Sequence, residues 1–275
     1  MKVTFYGTRG SMPVTYPDYA QFGGNTSCVL VTFSTGRVAI LDAGTGIRKL
    51  GNDLLRNSHE QYDNISIILS HTHWDHIQGF PYFDLAYDPR RNFKISICGE
   101  KRSGKDLESL FATQMQDDFF PVPLEKMGAN FTFLQPNITT YEHHPSGIKI
   151  VASKHSHRGD AYGYRIEEGG KTLIYCTDVE HKDGIDPNVV ALSKNADLLI
   201  HDAQYPPEVL KTKKGWGHSS WEQAIEVAKQ AGVKKLALFH HDPEHDDTFL
   251  SNLEIECQKH FSDVFLAREG DQIEL

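Results

Sequence analysis

Ile65-Ser-Ile-Ile-Leu-Ser-His-Thr-His-Trp-Asp-His76 is a β-rich apolar run that stops at a dense group of metal-binding side chains. Strand-like character over Ile65 to Leu69 gives way after Ser70 to a loop. His71 and His73 lie two residues apart, so in extended backbone they project to the same side and can pinch one ion. Asp75 and His76 follow where a turn or helix opens, which swings them away to grip a second ion a few ångströms off. Burying four such donors without a cation would be electrostatically expensive, because each needs a partner. The stretch therefore predicts a two-metal site.

The same arrangement recurs along the chain. Val38 to Leu41 runs into Asp42-Ala-Gly-Thr-Gly46, and Leu173 to Cys176 leads through Thr177 to Asp178. Leu198 to Ile200 leads to His201 and Asp202, and Leu236 to Phe239 leads to His240. A single polar residue after a strand is as easily a turn former. Five such exits converging on one rim are the arrangement by which layered α/β folds gather a site from distant sequence. Completing two coordination spheres needs further histidines and a carboxylate able to bridge both ions.

Composition sets bounds around this site. The chain has 275 residues with 39% apolar content and strand-like runs from one end to the other, without a Pro/Ser-rich linker or repeat. A single domain over 1–275 is expected, since any cut would cross the core. Cys28, Cys98, Cys176 and Cys257 form no C-x-x-C pair and suit reduced, structural thiols. There is no signal-peptide pattern and no uninterrupted run of eighteen apolar residues, so a cytoplasmic protein with no membrane partner is expected. The net charge of −9, without a Lys/Arg run, disfavours large nucleic acids. Small anions remain suitable, because bound dications dominate the charge of their own pocket. Fifteen histidines accord with metal binding.

These motifs resemble the metallo-β-lactamase superfamily: HTHWDH at 71–76, LDAGTG at 41–46, and later single ligands. The resemblance is closest to ribonuclease Z and its small phosphodiesterase relatives. HRGDAYGYR at 157–165, HDAQY at 201–205, GHSS at 217–220 and LALFH at 236–240 all have counterparts in that group, as do GTRGSMP at 7–13 and NTSC at 25–28. It implies an α/β fold, the four-layer αββα sandwich, and two divalent ions, zinc or manganese with iron as a further candidate. It gives the ligand set as His71, His73, Asp75, His76, His157, Asp178 and His240, with Asp178 as the bridge. His155 reads more readily as a bystander than as a ligand, and contributions from His155, His241 and His245 stay open. Asp42 is expected to support the metal loops through hydrogen bonds, and Gly44 and Gly46 to give the turn room.

Two departures bear on substrate. Ribonuclease Z carries a long tRNA-gripping arm between its Gly-Tyr-Arg segment and its bridging aspartate, whereas twelve residues separate Arg165 from Asp178 here. After the final ligand the chain reads His240-His-Asp-Pro-Glu-His-Asp-Asp247, acidic where a basic stretch would help hold RNA. Phe119-Phe-Pro-Val-Pro123 and Met127 are candidates for an apolar wall or lid, with core packing as the simpler reading.

The expected chemistry is hydrolysis of a small or cyclic phosphodiester by a water bridging two ions. Such a water loses its proton near neutral pH. By resemblance His218 protonates the leaving oxygen and Asp202 orients it; these two and Asp75 are the catalytic candidates. His218 precedes a helix with a Ser220/Gln223 capping box, an apolar face at Trp221, Ala224, Ile225 and Ala228, and a Gly232 stop. The alternatives are a 3′-end ribonuclease, a lactone, ester or lactam hydrolase of the same fold, and a metal-bound sensor without turnover. The oligomeric state stays open, with a homodimer as the candidate assembly.

Overall fold

The computed structural model describes residues 1–56, 64–97, 104–135, 140–143 and 147–275. In chain order come strands β1 (Lys2–Gly7), β2 (Cys28–Thr32), β3 (Val38–Leu41), β4 (Asn64–Leu69), β5 (Asn92–Ile97) and β6 (Asn130–Leu134). A second series follows: β7 (Thr140–His143), β8 (Ile148–His155), β9 (Ala161–Glu168), β10 (Lys171–Cys176), β11 (Leu198–Asp202), β12 (Lys235–Phe239) and β13 (Val264–Leu266). The last strand, β14 (Gln272–Glu274), returns to the first sheet, whose order is β14-β1-β2-β3-β4-β5-β6. The second sheet runs β13-β12-β11-β10-β9-β8-β7. Strands β3 to β6 are parallel to one another, as are β10 to β13. Each parallel block therefore sends its C-terminal loops to one rim.

Side-chain alternation builds three apolar layers. On β10, Leu173 and Tyr175 face the other sheet while Ile174 and Cys176 face outward to helices, the period-two pattern of a strand buried on both faces. On the first sheet's outer face, α1 (Gly46–Arg56) contributes Ile47, Leu50 and Leu54, and α3 (Leu107–Gln114) contributes Leu107 and Phe111. On the second sheet's outer face lie α4 (Pro187–Ser193), α6 (Trp221–Ala231) and α7 (Asp247–His260). The order is helices, sheet, sheet, helices: the expected four-layer αββα sandwich. Among the described residues no helix is long and apolar enough to cross a membrane.

Phe239, fully buried between the sheets, packs against Phe5 and Tyr175 at ring separations of 6.1 and 5.9 Å. Truncating such a ring to alanine costs on the order of 3–5 kcal/mol. It would also loosen the end of the strand that leads into His240. The expected helix after His218 forms as read: Ser220 and Gln223 make a reciprocal capping box, and Gly232 closes the helix in the left-handed conformation. Cys28, Cys176 and Cys257 are buried free thiols, whereas Cys98 lies outside the described residues.

Of the two readings of the 119–127 segment, core packing holds for Met127. Met127 is fully buried in the outer core beneath the first sheet, so it packs the fold and forms no wall of the site. Phe119 is exposed, and Phe120 packs edge-on against Tyr82.

A candidate two-metal centre

The strand exits end in strained backbone. Asp42 after β3, Asp178 after β10 and His240 after β12 have φ of 59°, 53° and 65°. Non-glycine residues take this left-handed region rarely, although Asp and His do so more readily than most, and such residues cluster at functional sites. After His73 the chain enters the single helical turn α2 (Trp74–Ile77), which carries Asp75 and His76. The glycines of the turn following β3 make the fit close: a Cβ on Gly44 would collide with the Asp75 carbonyl oxygen.

Seven predicted ligands meet at this rim. His71, His73 and His157 offer donor atoms within 4.8 Å of one another, as do Asp75, His76 and His240, and likewise His71, His76 and Asp178. Asp178 stands between the first two groups. Its Oδ1 lies 3.7 Å from His71 Nε2 and 3.8 Å from His157 Nε2, while its Oδ2 lies 3.1 Å from His76 Nε2 and 3.3 Å from His240 Nε2. One carboxylate oxygen thus serves each histidine group.

The donors fit a cation by their spacing. A tetrahedral ion with bonds of about 2.0–2.1 Å holds its donors about 3.3 Å apart. Between His76 Nε2, His240 Nε2, Asp75 Oδ2 and Asp178 Oδ2, five separations are 3.3, 3.3, 3.1, 3.2 and 3.3 Å. In the other group, His71 Nε2 is buried and has no hydrogen-bond partner among the described residues. A buried ring nitrogen without a hydrogen-bond partner fits a metal-ligand role. Burial holds the imidazoles of His71 and His157 below the usual histidine range, so both are neutral donors. Burial would raise Asp178, but His240, His76 and His71 outweigh it and hold the carboxyl well below the usual carboxylate range.

Groups behind the ligands fix their orientation. Asp42 accepts from Ser70 N and Oγ at 2.7 and 2.8 Å and from the Tyr175 hydroxyl at 2.7 Å. It also lies 2.8 Å from His76 Nδ1, the expected supporting role, turning that ring's Nε2 toward Asp178. The carbonyl of Gly217 lies 2.8 Å from His157 Nδ1. Gly217 has φ of 92°, and a Cβ there would strike the same imidazole. Tyr164 donates its hydroxyl to the Leu69 carbonyl at 2.7 Å, tying the second sheet to the exit of β4.

His218 stacks on His240 at 5.1 Å, with its Nδ1 2.8 Å from Asp202 Oδ2. Burial would lower the His218 pKa, but Asp202 prevails and raises it to about 9. With its Nδ1 committed to Asp202, His218 keeps Nε2 available, and it also falls in a group with Asp178, Asp202 and His240 whose donor atoms lie within 4.8 Å of one another. A cavity of about 650 Å³ opens on His218, bordered also by Lys182, Lys211 and Lys214.

Several histidines read from sequence fall elsewhere. His201 shares the outward face of β11 with Leu199 and stacks on His181 at 5.4 Å, whereas Asp202 points inward with Leu198 and Ile200. That strand continues through Asp202, so its exit comes later than the apolar run suggests. His155 Nε2 lies 3.1 and 3.2 Å from the carbonyls of Thr177 and Asp178, bracing the loop of the bridging carboxylate. His241 bonds the Ala267 carbonyl and His245 stacks on Phe249, so neither joins a ligand group. Sequence reasoning missed Tyr175, Tyr164, Ser11 and Gln204. For Gln204 the signal was its place two residues after Asp202 in the same exit.

Residues 37–241 match the Beta-lactamase superfamily domain, and the chain belongs to that family, a family of metal-binding hydrolases. A "Ribonuclease Z" of Prochlorococcus marinus (strain MIT 9515) is 24% identical, aligned over 98% of this chain and 98% of its own. Among solved structures, the metallo-β-lactamase fold protein YhfI from Bacillus subtilis superposes with a TM-score of 0.71 at 23% identity, covering 100% of this chain and 98% of that one. Human tRNase Z, short form, superposes with a TM-score of 0.67 at 21% identity, covering 100% and 99%. At these identities the structural likenesses carry the fold.

Proposed function

We propose that the protein is a two-metal phosphodiesterase acting on a small or cyclic nucleotide phosphodiester. The observation that carries this reading is Asp178 presenting one oxygen to each histidine group, with the His218–Asp202 pair beside them. His71, His73, His157 and Asp178 would hold one ion, and Asp75, His76, His240 and Asp178 the other. Zinc or manganese suits these donors, with iron also compatible. Bound dications supply an acidified water and neutralise charge developing on the phosphoryl oxygens.

The chain's own contribution is proton delivery and exclusion of alternatives. Asp202 fixes the His218 ring through Nδ1, leaving Nε2 to give its proton to the departing alkoxide. In the metal-free protein Asp202 raises the imidazole to about 9, which favours the protonated ring this role requires. The cavity beside it, bordered by Lys182, Lys211 and Lys214 together with Glu180 and Glu222, would give a small substrate room.

A second reading, a ribonuclease Z-like 3′-end endonuclease, is favoured by relatives of that name aligning end to end. Against it, β9 and β10 are joined by Gly169 and Gly170 alone, so no arm extends there. Hydrolysis of bis(p-nitrophenyl) phosphate and a panel of cyclic nucleotides by zinc- or manganese-loaded protein tests the first reading. Cleavage of a 3′-extended tRNA with no turnover of small diesters would favour the second. Activity on lactones alone would sink both.

A further inference from the structure

The Oε1 of Gln204 lies 2.9 Å from Nδ1 of His240, and its Nε2 donates to Ser11 Oγ at 3.3 Å and to the Tyr205 hydroxyl at 3.2 Å. Ser11, held at φ of 64°, donates its backbone N–H to Asp75 Oδ2 at 2.8 Å. One buried amide thus connects the backing of His240 with the turn that steadies Asp75. His240 and Asp75 lie in the same tetrahedral group, and no other ligand is backed by Gln204. The companion histidine His76 is backed by the Asp42 carboxylate instead.

We propose that Gln204 is the positioning residue that sets how tightly the second ion, that of Asp75, His76 and His240, is held. The proposal rests on the two-metal reading above. By accepting from Nδ1–H, Gln204 keeps the His240 proton on that nitrogen and presents the Nε2 lone pair to the ion. A neutral amide polarises the ring less than a carboxylate would, and the Asp202 Oδ2 stands off from His240 Nδ1 at 3.7 Å, beyond hydrogen-bond distance. Through Ser11 the same amide limits the swing of Asp75, so both ligands are held together or lost together.

The test uses metal-free full-length protein titrated with zinc against chelators of graded strength, with bound zinc counted by elemental analysis. Gln204→Leu removes all three side-chain hydrogen bonds and should weaken one of the two zinc sites by about 10–100-fold while leaving the other unchanged. Gln204→Glu keeps the shape and offers His240 a carboxylate, so it should tighten that same site relative to wild type. Opposite shifts confined to one ion cannot come from general damage to the fold. Cobalt loading gives a second readout, since the visible absorption of only one of the two bound ions should change. Two unchanged sites in Gln204→Leu, or equal weakening of both in Leu and Glu variants alike, would overturn the proposal. If wild type binds fewer than two ions, the two-metal reading itself fails.

Discussion

The Asp202 carboxylate joins two parts of the site: its Oδ2 lies 2.8 Å from His218 Nδ1 and also accepts the backbone N–H of Asp178 at 3.2 Å. His218 and Asp178 are therefore registered on one side chain. His218→Ala should keep both ions by elemental analysis. It should lose about 10²–10⁴-fold in turnover of diesters with poor leaving groups, and far less with nitrophenolate, which departs unprotonated. Equal losses on both substrates would remove His218 from the acid role.

The same pair makes a pH statement about metal-free protein. His218 is raised from 6.5 to about 9 in the folded state, so its stabilisation is fully present below about pH 6.5. It is lost as pH rises through about 9. Asp202, lowered from its ordinary 3.8, contributes stability present above that value and lost in acid. In the metal-free state, the difference in thermal midpoint between wild type and His218→Ala should be larger at pH 6 than at pH 10. A difference that grows with pH would contradict the assignment.

Much of this was legible because strand periodicity and ligand chemistry coincide at the exits. The dense group from His71 to His76 is local, so two-residue spacing and a turn suffice to read it. Asp178 and His240 are each a single residue after an apolar run, and their left-handed φ values leave no mark in the sequence. Tyr175 was illegible for a different reason. It reads as one more apolar strand residue, and its hydroxyl meets Asp42 only because the two sheets stack face to face. His201 was misplaced relative to the site because strand parity, counted one residue past the apolar run, sends it to the helical face while Asp202 turns inward.

Tyr175→Phe isolates that contact. Removing the hydroxyl from a fully buried network leaves one Asp42 oxygen with a partner fewer, at a cost of about 1–3 kcal/mol. A lower thermal midpoint is expected, together with weaker zinc retention at the ion held by His76, which Asp42 orients. An unchanged midpoint would mean that Ser70 and His76 satisfy Asp42 without the tyrosine.

Asp178→Ala removes the donors shared by both histidine groups. Burial alone would favour a protonated carboxyl here, yet His240, His76 and His71 keep it ionised. The variant would therefore lose the negative charge that Asp178 would offer to bound cations. At least one ion should be absent by elemental analysis, and phosphodiester turnover should fall to background even with nitrophenolate as leaving group. That pattern differs from His218→Ala, which spares metals and easy substrates. Asp178→Asn refines the test, because it retains shape and one oxygen donor without the charge. If the asparagine variant kept two tightly bound ions, charge at the bridge would be dispensable and the case for a shared carboxylate would fail.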